Sequence, residues 1–458
     1  MNGEILSFAD SSLSDTDEAD NLLSLEQLTH STQDGIAQCF SERHANNARY
    51  CSKHGSWYLW NLKRWNKDEK NAVTNYVRNI ARVKNSAGQA GMGSLGFTKG
   101  AKGFAEADPN LVIGHEELDN NNYLLNTPAG TYNLLTQTMQ AHSHLDHITK
   151  STTVAPTVIA GGIFPRFLSE ITQGDTELQK FLQRSLGSIL SGALEDHWIM
   201  FWIGSGRNGK NSLGDVVEDI MGDFAKKVPS SLLLQKTHVG HPTELANLQG
   251  LRLAVSSEIP EGAYLNASLI KELSGDGNIS ARFMHQDNFE FPRTHKHLVY
   301  GNNRPSLKIS DPAMKSRMKI VRFGASFVGR EDPDLPSKLK REAGFILSWL
   351  IEGHQMWLGN GKKIGSCTAV DRETADYYSA QTTPETWINE NCLGVTSYQP
   401  NNRLLPANTL YKDYCTWSEE RGEQPLSSTL WGEYMTQQGF EKTRTKTGMR
   451  YRGLELAQ

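Results

Sequence analysis

An apolar run, His197-Trp198-Ile199-Met200-Phe201-Trp202-Ile203, breaks into Gly204-Ser205-Gly206-Arg207-Asn208-Gly209-Lys210, after which Leu213, Val216, Val217 and Ile220 recur at the spacing of one buried helix face. Buried strand, glycine-rich turn, amphipathic helix: that order predicts an α/β sheet with a phosphate-binding loop at the end of one strand. The glycines let backbone N–H groups close around phosphate oxygens, the new helix adds its positive end, and Lys210 adds a point charge. One place is irregular. Such loops follow the lysine with Ser or Thr to hold Mg²⁺, and here Asn211 stands there, with Ser212 one residue late.

Other stretches fit a parallel sheet around that loop. Leu251 to Ser257 reads as a second buried strand ending in Glu258, and the carboxyl ends of parallel strands lie beside the loop, where an acid can activate water. A third strand, His297 to Tyr300, runs into Gly301-Asn302-Asn303-Arg304-Pro305, which places Asn302 near a terminal phosphate. Between them, extended pieces around Ile279 and Phe289 flank a polar turn with Arg282 and His285, a hairpin with a basic tip. Arg317 precedes the strand Met318 to Phe323 and is expected at an exposed turn, within reach of a neighbouring subunit.

Charge is unevenly spread. The net charge is −4, yet residues 1–33 hold seven acids and no Lys or Arg, so the remainder is slightly basic and a local groove can still take nucleic acid. The acidic, serine-rich start predicts a mobile tail. No apolar run approaches the roughly 20 residues of a membrane-spanning helix, and the five cysteines form no Cys-x-x-Cys pair, which together predict a cytoplasmic chain with reduced thiols. The expected organisation is a tail (1–33), an N-terminal α+β domain (34–165) and a helical collar (166–195). The phosphate-loop core follows (196–360), then a linker or insert (361–403) and a C-terminal module (404–458). Within the N-terminal domain, Gly88 to Gly103 reads as a flexible loop and Pro128 to Gly130 as a turn between two short strands. The C-terminal module offers a helix around Tyr434 and a basic hairpin with Lys442, Arg444, Lys446 and Arg450.

His142-Ser143-His144-Leu145-Asp146-His147 matches the His-x-His-x-Asp-His string with which metallo-β-lactamase-type hydrolases bind zinc. A zinc site of that kind follows a buried strand and takes further His and Asp ligands downstream. Neither is evident in this sequence.

The series Gly204 to Lys210, Ser257-Glu258, Ile270-Lys271-Glu272-Leu273-Ser274-Gly275-Asp276, Asn302 to Pro305 and Arg317 resembles the superfamily 3 helicase domain of phage, plasmid and poxvirus-type primase–helicases. Tyr50, Trp57-Tyr58, Asn126 to Pro128, Gly130, Leu134 and Thr149-Lys150 resemble the domain preceding that helicase, and Trp431 to Leu456 a winged-helix module. The resemblance implies an AAA+-like P-loop core that binds ATP through residues 204–212, with Mg²⁺ held by Glu258 and Asn211. It implies catalytic roles for Lys210, Glu258, Asn302 and, across a subunit boundary, Arg317. Lys271, Arg282, His285 and the four basic residues of the C-terminal hairpin would contact single-stranded or forked DNA. A homo-hexameric ring, working with a separate primase and other replication proteins of a phage or mobile element in a bacterial host, follows from the same resemblance. The competing expectation is an ATP-regulated DNA-binding origin or assembly protein with weak hydrolysis and no unwinding.

Overall fold

A computed structural model of the chain describes residues 32–86, 91–158, 162–235, 243–260, 263–275, 277–282, 288–302, 304, 312–382, 384–393, 404–421, 425–446, 448–452 and 454–456. The acidic tail, but for its last two residues, lies outside them, as do Asn303 and His285. The chain divides into two compact units, residues 1–120 with 143–149, and residues 121–142 with 150–458.

In the first unit, three helices, Gln33–His44, Ala72–Ser86 and Leu95–Ala105, accompany an antiparallel sheet of Ala48–Cys51, Ser56–Trp60 and Trp65–Lys67. Ile36, Phe40, Val73, Val77, Ala101 and Ala105 close its core. The third helix corrects the expectation of a flexible loop over Gly88 to Gly103. Each glycine costs a helix about 1 kcal/mol, but Ser94 caps the first turn through the Phe97 N–H at 3.2 Å, and Thr98, Ala101 and Ala105 are buried. Packing of small residues against a neighbouring helix outweighs poor intrinsic propensity.

The second unit is built on a parallel sheet. Its strands are β1 (Ile199–Ile203), β2 (Ala225–Lys227) and β3 (Leu253–Ser257), followed after a separate antiparallel hairpin, β4 (Asn278–Ala281) and β5 (Phe289–Pro292), by β6 (Lys296–Gly301) and β7 (Met318–Arg322). The five sheet strands lie in the order β7-β1-β6-β3-β2, all parallel. β1 and β6 are buried along their whole length, as central strands covered on both faces must be. Alternate residues serve two cores. Met200, Trp202, Leu298, Tyr300 and Val321 face one cluster, while Ile199, Phe201, Val299 and Ile320 face the other.

The helices on the first face are α1 (Ile163–Ile171), α2 (Thr176–Ser188) and α3 (Lys210–Met221); on the second lies α4 (Ala267–Ser274). α5 (Pro312–Arg317) leads into β7, and α6 (Leu335–Arg341) and α7 (Ala343–Gly359) follow it. α3 buries the expected face of Leu213, Val216, Val217 and Ile220. α1 and α2 share one core with the sheet through Phe167, Ile171, Phe181 and Leu186. α2 and α7 meet backbone to backbone, since a Cβ at Gly187 would lie 2.2 Å from the Gly353 carbonyl carbon and one at Gly353 2.0 Å from the Gln183 carbonyl oxygen. Gly353→Ala is therefore expected to cost about 1–3 kcal/mol of stability, read as a lower midpoint in denaturant.

The turn at Pro128 to Gly130 joins two short strands, Leu124–Thr127 and Gly130–Asn133. The described part of residues 361–403, expected as a linker or insert, contributes to three cores, with Ile364, Cys367 and Val370 in the first sheet cluster. The helix Thr368–Thr382 places Tyr377 and Tyr378 in the second sheet cluster, whereas Trp387 and Ile388 of the helix Pro384–Asn391 pack with Leu410, Tyr414, Trp431 and Tyr451 of the C-terminal module. That module has two further helices, Ala407–Glu420 and Ser428–Gln437, and a three-stranded antiparallel sheet of Leu404–Pro406, Gly448–Arg452 and Lys442–Thr445 in that order. No helix among the described residues is long and apolar enough to cross a membrane.

Candidate functional site

Register decides which residues meet. Gly301 of β6 and Arg322 of β7 both pair with Ile203, and Ser257 of β3 pairs with Tyr300, so the segments after β1, β3 and β6 leave the sheet at the same end. Lys210, Glu258 and Asn302 are thereby gathered at the carboxyl edge, as the sequence led us to expect. Arg317 is not. It precedes Met318, which pairs with Ile199, so it lies one strand length, roughly 16 Å, below the loop of its own subunit. It also closes α5 rather than lying on an exposed turn, half-buried, with a guanidinium N–H donating to the Ala313 carbonyl at 3.0 Å. The apolar positions around Met314 and Met318 favour a helical turn packed on the sheet.

The loop from Gly204 to Gly209 is held in shape by a few contacts. Gly206 and Gly209 both have φ near +84°, a left-handed backbone that favours glycine. Gly209 is doubly constrained, because a Cβ there would lie 2.3 Å from Ile171 of α1. Asn208 is buried, donates to the Phe323 carbonyl at 3.1 Å and accepts the Lys210 N–H at 3.4 Å. It pins the loop to the segment leaving β7. Arg207 (φ +46°) pairs with Glu331 at 2.6 Å, while its carbonyl accepts the Phe327 N–H at 2.9 Å.

Lys210 is buried at the first position of α3, and its ammonium donates to Asn302 Oδ1 at 3.0 Å and the Gly204 carbonyl at 3.3 Å. Both acceptors are neutral. Burial pushes its pKa below the ordinary lysine value, and the negative charge of Glu258 only partly offsets this. An anion arriving over the loop would supply the missing counter-charge and pull the pKa back up. Glu258 is exposed, with φ +57°, its N–H donating to the Tyr300 carbonyl at 3.1 Å and its carbonyl accepting the Ser230 hydroxyl at 3.2 Å. A glutamate in left-handed backbone costs of order 1–2 kcal/mol, and such strain collects at functional positions. Asn211 is exposed and Ser212 half-buried beside it.

Next to the loop a cavity of about 400 Å³ opens between α1 and the segment after β7. Ile163, Phe167, Phe327 and Leu335 give it apolar walls, and the pairs Arg166–Glu170, Arg207–Glu331 and Lys338–Asp332 rim it. Sequence reasoning missed these walls. They come from segments about 160 residues apart, and no local pattern marks them.

The basic residues singled out in the sequence are not all together. Lys271 lies in the last turn of α4, and Arg282 is exposed just past β4 on the hairpin whose turn, with His285, is outside the described residues. In the C-terminal sheet Lys442 faces Tyr451 and Arg444 faces Met449, whereas Arg450 is opposite Thr443 and donates to the Leu404 carbonyl at 3.0 Å, on the other face. Arg444 and Lys446 are exposed. His142 is hydrogen-bonded to the Thr127 carbonyl at 2.8 Å, and no group of three or more His, Cys, Asp or Glu among the described residues could hold a metal.

Residues 37–184 match a family model described as D5 N terminal like, and residues 202–317 match a family of unknown function, DUF5906. In both of these regions the chain thus resembles primase–helicase proteins. The chain is 26% identical over 242 residues, 51% of its length, to a protein provisionally named a helicase in Acanthamoeba polyphaga mimivirus, of which the match covers 25%. It is 30% identical over 160 residues, 34% of its length, to one so named in Frog virus 3, of which 16% is covered. It is 23% identical over 249 residues, 50% of its length, to a protein provisionally named a primase in African swine fever virus, of which 26% is covered. The matches thus span about a quarter or less of these curated relatives. Among solved structures, the apo C-terminal region of NrS-1 aligns with 91% of this chain and 97% of its own, at 10% identity and a TM-score of 0.47.

Proposed function

We propose that the chain is an ATP-driven DNA helicase of a viral, phage or plasmid replication system, with a superfamily 3 core over residues 196–360 and a winged-helix module over 404–458. One observation carries the reading: a buried lysine on neutral acceptors, Lys210 on Asn302 and Gly204, at the sheet edge that also presents Glu258. The apolar cavity beside Gly209 and Ser212 has room for the nucleoside.

In this reading Lys210 and the loop N–H groups hold the β- and γ-phosphates, Asn302 contacts the γ-phosphate, and Glu258 takes the proton of the attacking water. The donor set suits Mg²⁺, which keeps several waters and takes one or two protein oxygens together with phosphates; here Glu258 and Asn211 or Ser212 would hold it. Bound there, the ion neutralises phosphate charge. Arg317, at the far end of its own sheet, acts only on a neighbouring subunit's phosphates, which requires a ring, and a hexamer is the expected one. Lys271 and Arg282, with His285 and the C-terminal Lys442, Arg444, Lys446 and Arg450, contact single-stranded or forked DNA. A separate primase and further replication proteins would be partners, in the cytoplasm of the host, a bacterial one for a phage or plasmid.

The exposed Asn211 favours a second reading, an ATP-controlled DNA-binding assembly protein with weak hydrolysis. Steady-state phosphate release with and without single-stranded DNA, followed by strand displacement on a forked duplex, separates the two. The helicase reading expects hydrolysis that rises several-fold with DNA and displaces the strand. Nucleotide binding without displacement would replace it by the second.

A further inference from the structure

The hairpin β4–β5 hangs from the sheet by its two ends, the turn after α4 and the step into β6. One side chain spans both. Arg293, directly after β5, is 4% exposed, and its guanidinium donates to the Gly275 carbonyl at 2.7 Å, to the Ser274 carbonyl at 3.2 Å and to the His295 carbonyl at 2.9 Å. Its own N–H also reaches the Gly277 carbonyl at 3.4 Å.

The geometry fits a buried arginine. Ser274 and Gly275 are the end of α4, where the last carbonyls carry the negative end of the helix dipole, so a cation is stabilised there. The planar fork presents donors in fixed directions, and here they diverge toward two backbone segments that flank the hairpin on opposite sides. Lysine, a point charge on a flexible stem, cannot hold both in the same geometry.

We propose that Arg293 is a positioning residue that locks the root of the β4–β5 hairpin to α4 and to β6, so that the hairpin and the nucleotide end of β6 move as one body. α4 carries Lys271, the hairpin carries Arg282, and β6 leads directly into Asn302, which accepts from Lys210. A single guanidinium thus joins two elements that face DNA to the strand that reports on the phosphates. This inference rests on the helicase reading for its functional half; the locking itself stands without it.

The test uses the full chain with Arg293→Lys and Arg293→Met, in two arms. In the first, without nucleotide or DNA, amide hydrogen exchange is followed in β4 and β5 against β1 and β3. Locking predicts faster exchange in the hairpin of both variants with the sheet strands unchanged. Hairpin exchange that stays as in the parent chain overturns the proposal whatever the protein does with DNA. In the second arm, hydrolysis is measured with and without single-stranded DNA, alongside DNA affinity by anisotropy. The expected result is a loss of DNA stimulation of roughly 5–30-fold, with basal hydrolysis and DNA affinity within about twofold of the parent and no rescue by lysine. Stimulation kept in full, or basal hydrolysis falling in parallel, overturns the coupling. A parent chain with no DNA stimulation sinks the helicase reading and the coupling with it, while the exchange arm still decides the lock.

Discussion

Lys210→Ala abolishes nucleotide hydrolysis, by about 10²–10³-fold or more, and leaves the fold standing. The two halves have separate causes. The ammonium, bonded to Asn302 and Gly204, is the charge that would meet phosphate. Its contribution to stability is small, because it gives up hydration for two neutral acceptors and is held below its ordinary pKa by burial. Removing it changes stability by about 1 kcal/mol at most, in either direction. Phosphate release and thermal denaturation of the same preparation check both halves. Unchanged turnover would remove the active-site assignment altogether.

Glu258→Gln separates binding from chemistry. The amide keeps the size and backbone of Glu258 and an oxygen for Mg²⁺ but cannot take a proton, so kcat is expected to fall about 10²–10⁴-fold, with a much smaller loss of nucleotide affinity from the weakened metal ligand. The protein then accumulates in a nucleotide-bound form, which equilibrium binding with a fluorescent ATP analogue detects. Glu258→Gly adds a diagnosis. At φ +57° glycine relieves about 1 kcal/mol or more of strain, so this variant should be at least as stable as the parent and equally inactive. A stabilised, inactive glycine variant shows that strain is carried for function. An active glutamine variant would mean that water is activated elsewhere.

The candidate edge was legible because its elements are local. Five consecutive buried residues in β1, glycines with positive φ and a helix face of Leu213, Val216, Val217 and Ile220 all leave marks within about 25 residues. The placing of Glu258 and Asn302 beside them followed from one rule about parallel sheets, and the register bears out their common edge. What stayed hidden is long-range or runs against propensity. The helix Leu95–Ala105 is glycine-rich and forms through packing and a Ser94 cap. Arg317 looked like a turn residue because Asp311-Pro312 reads as a turn, yet Pro312 is simply the first residue of α5. The cavity depends on Phe167 and Phe327 lining one space, and the anchoring of Arg293 on backbone carbonyls two to nineteen residues away. Carbonyl acceptors carry no side-chain signature, so neither contact could be read in advance.

The close crossing of α2 and α7 has a practical meaning for anyone dissecting the chain. α2 precedes β1 and α7 follows the last sheet strand, so the polypeptide enters and leaves the parallel sheet through two helices clamped at Gly187 and Gly353. A fragment cut to begin at the loop's own strand would strip Phe181, Leu182 and Leu186 from that clamp and leave the apolar face of α7 bare to water. Truncations meant to isolate this half should therefore start before Ile163 and run past Thr382, and pieces trimmed to the motif boundaries should precipitate.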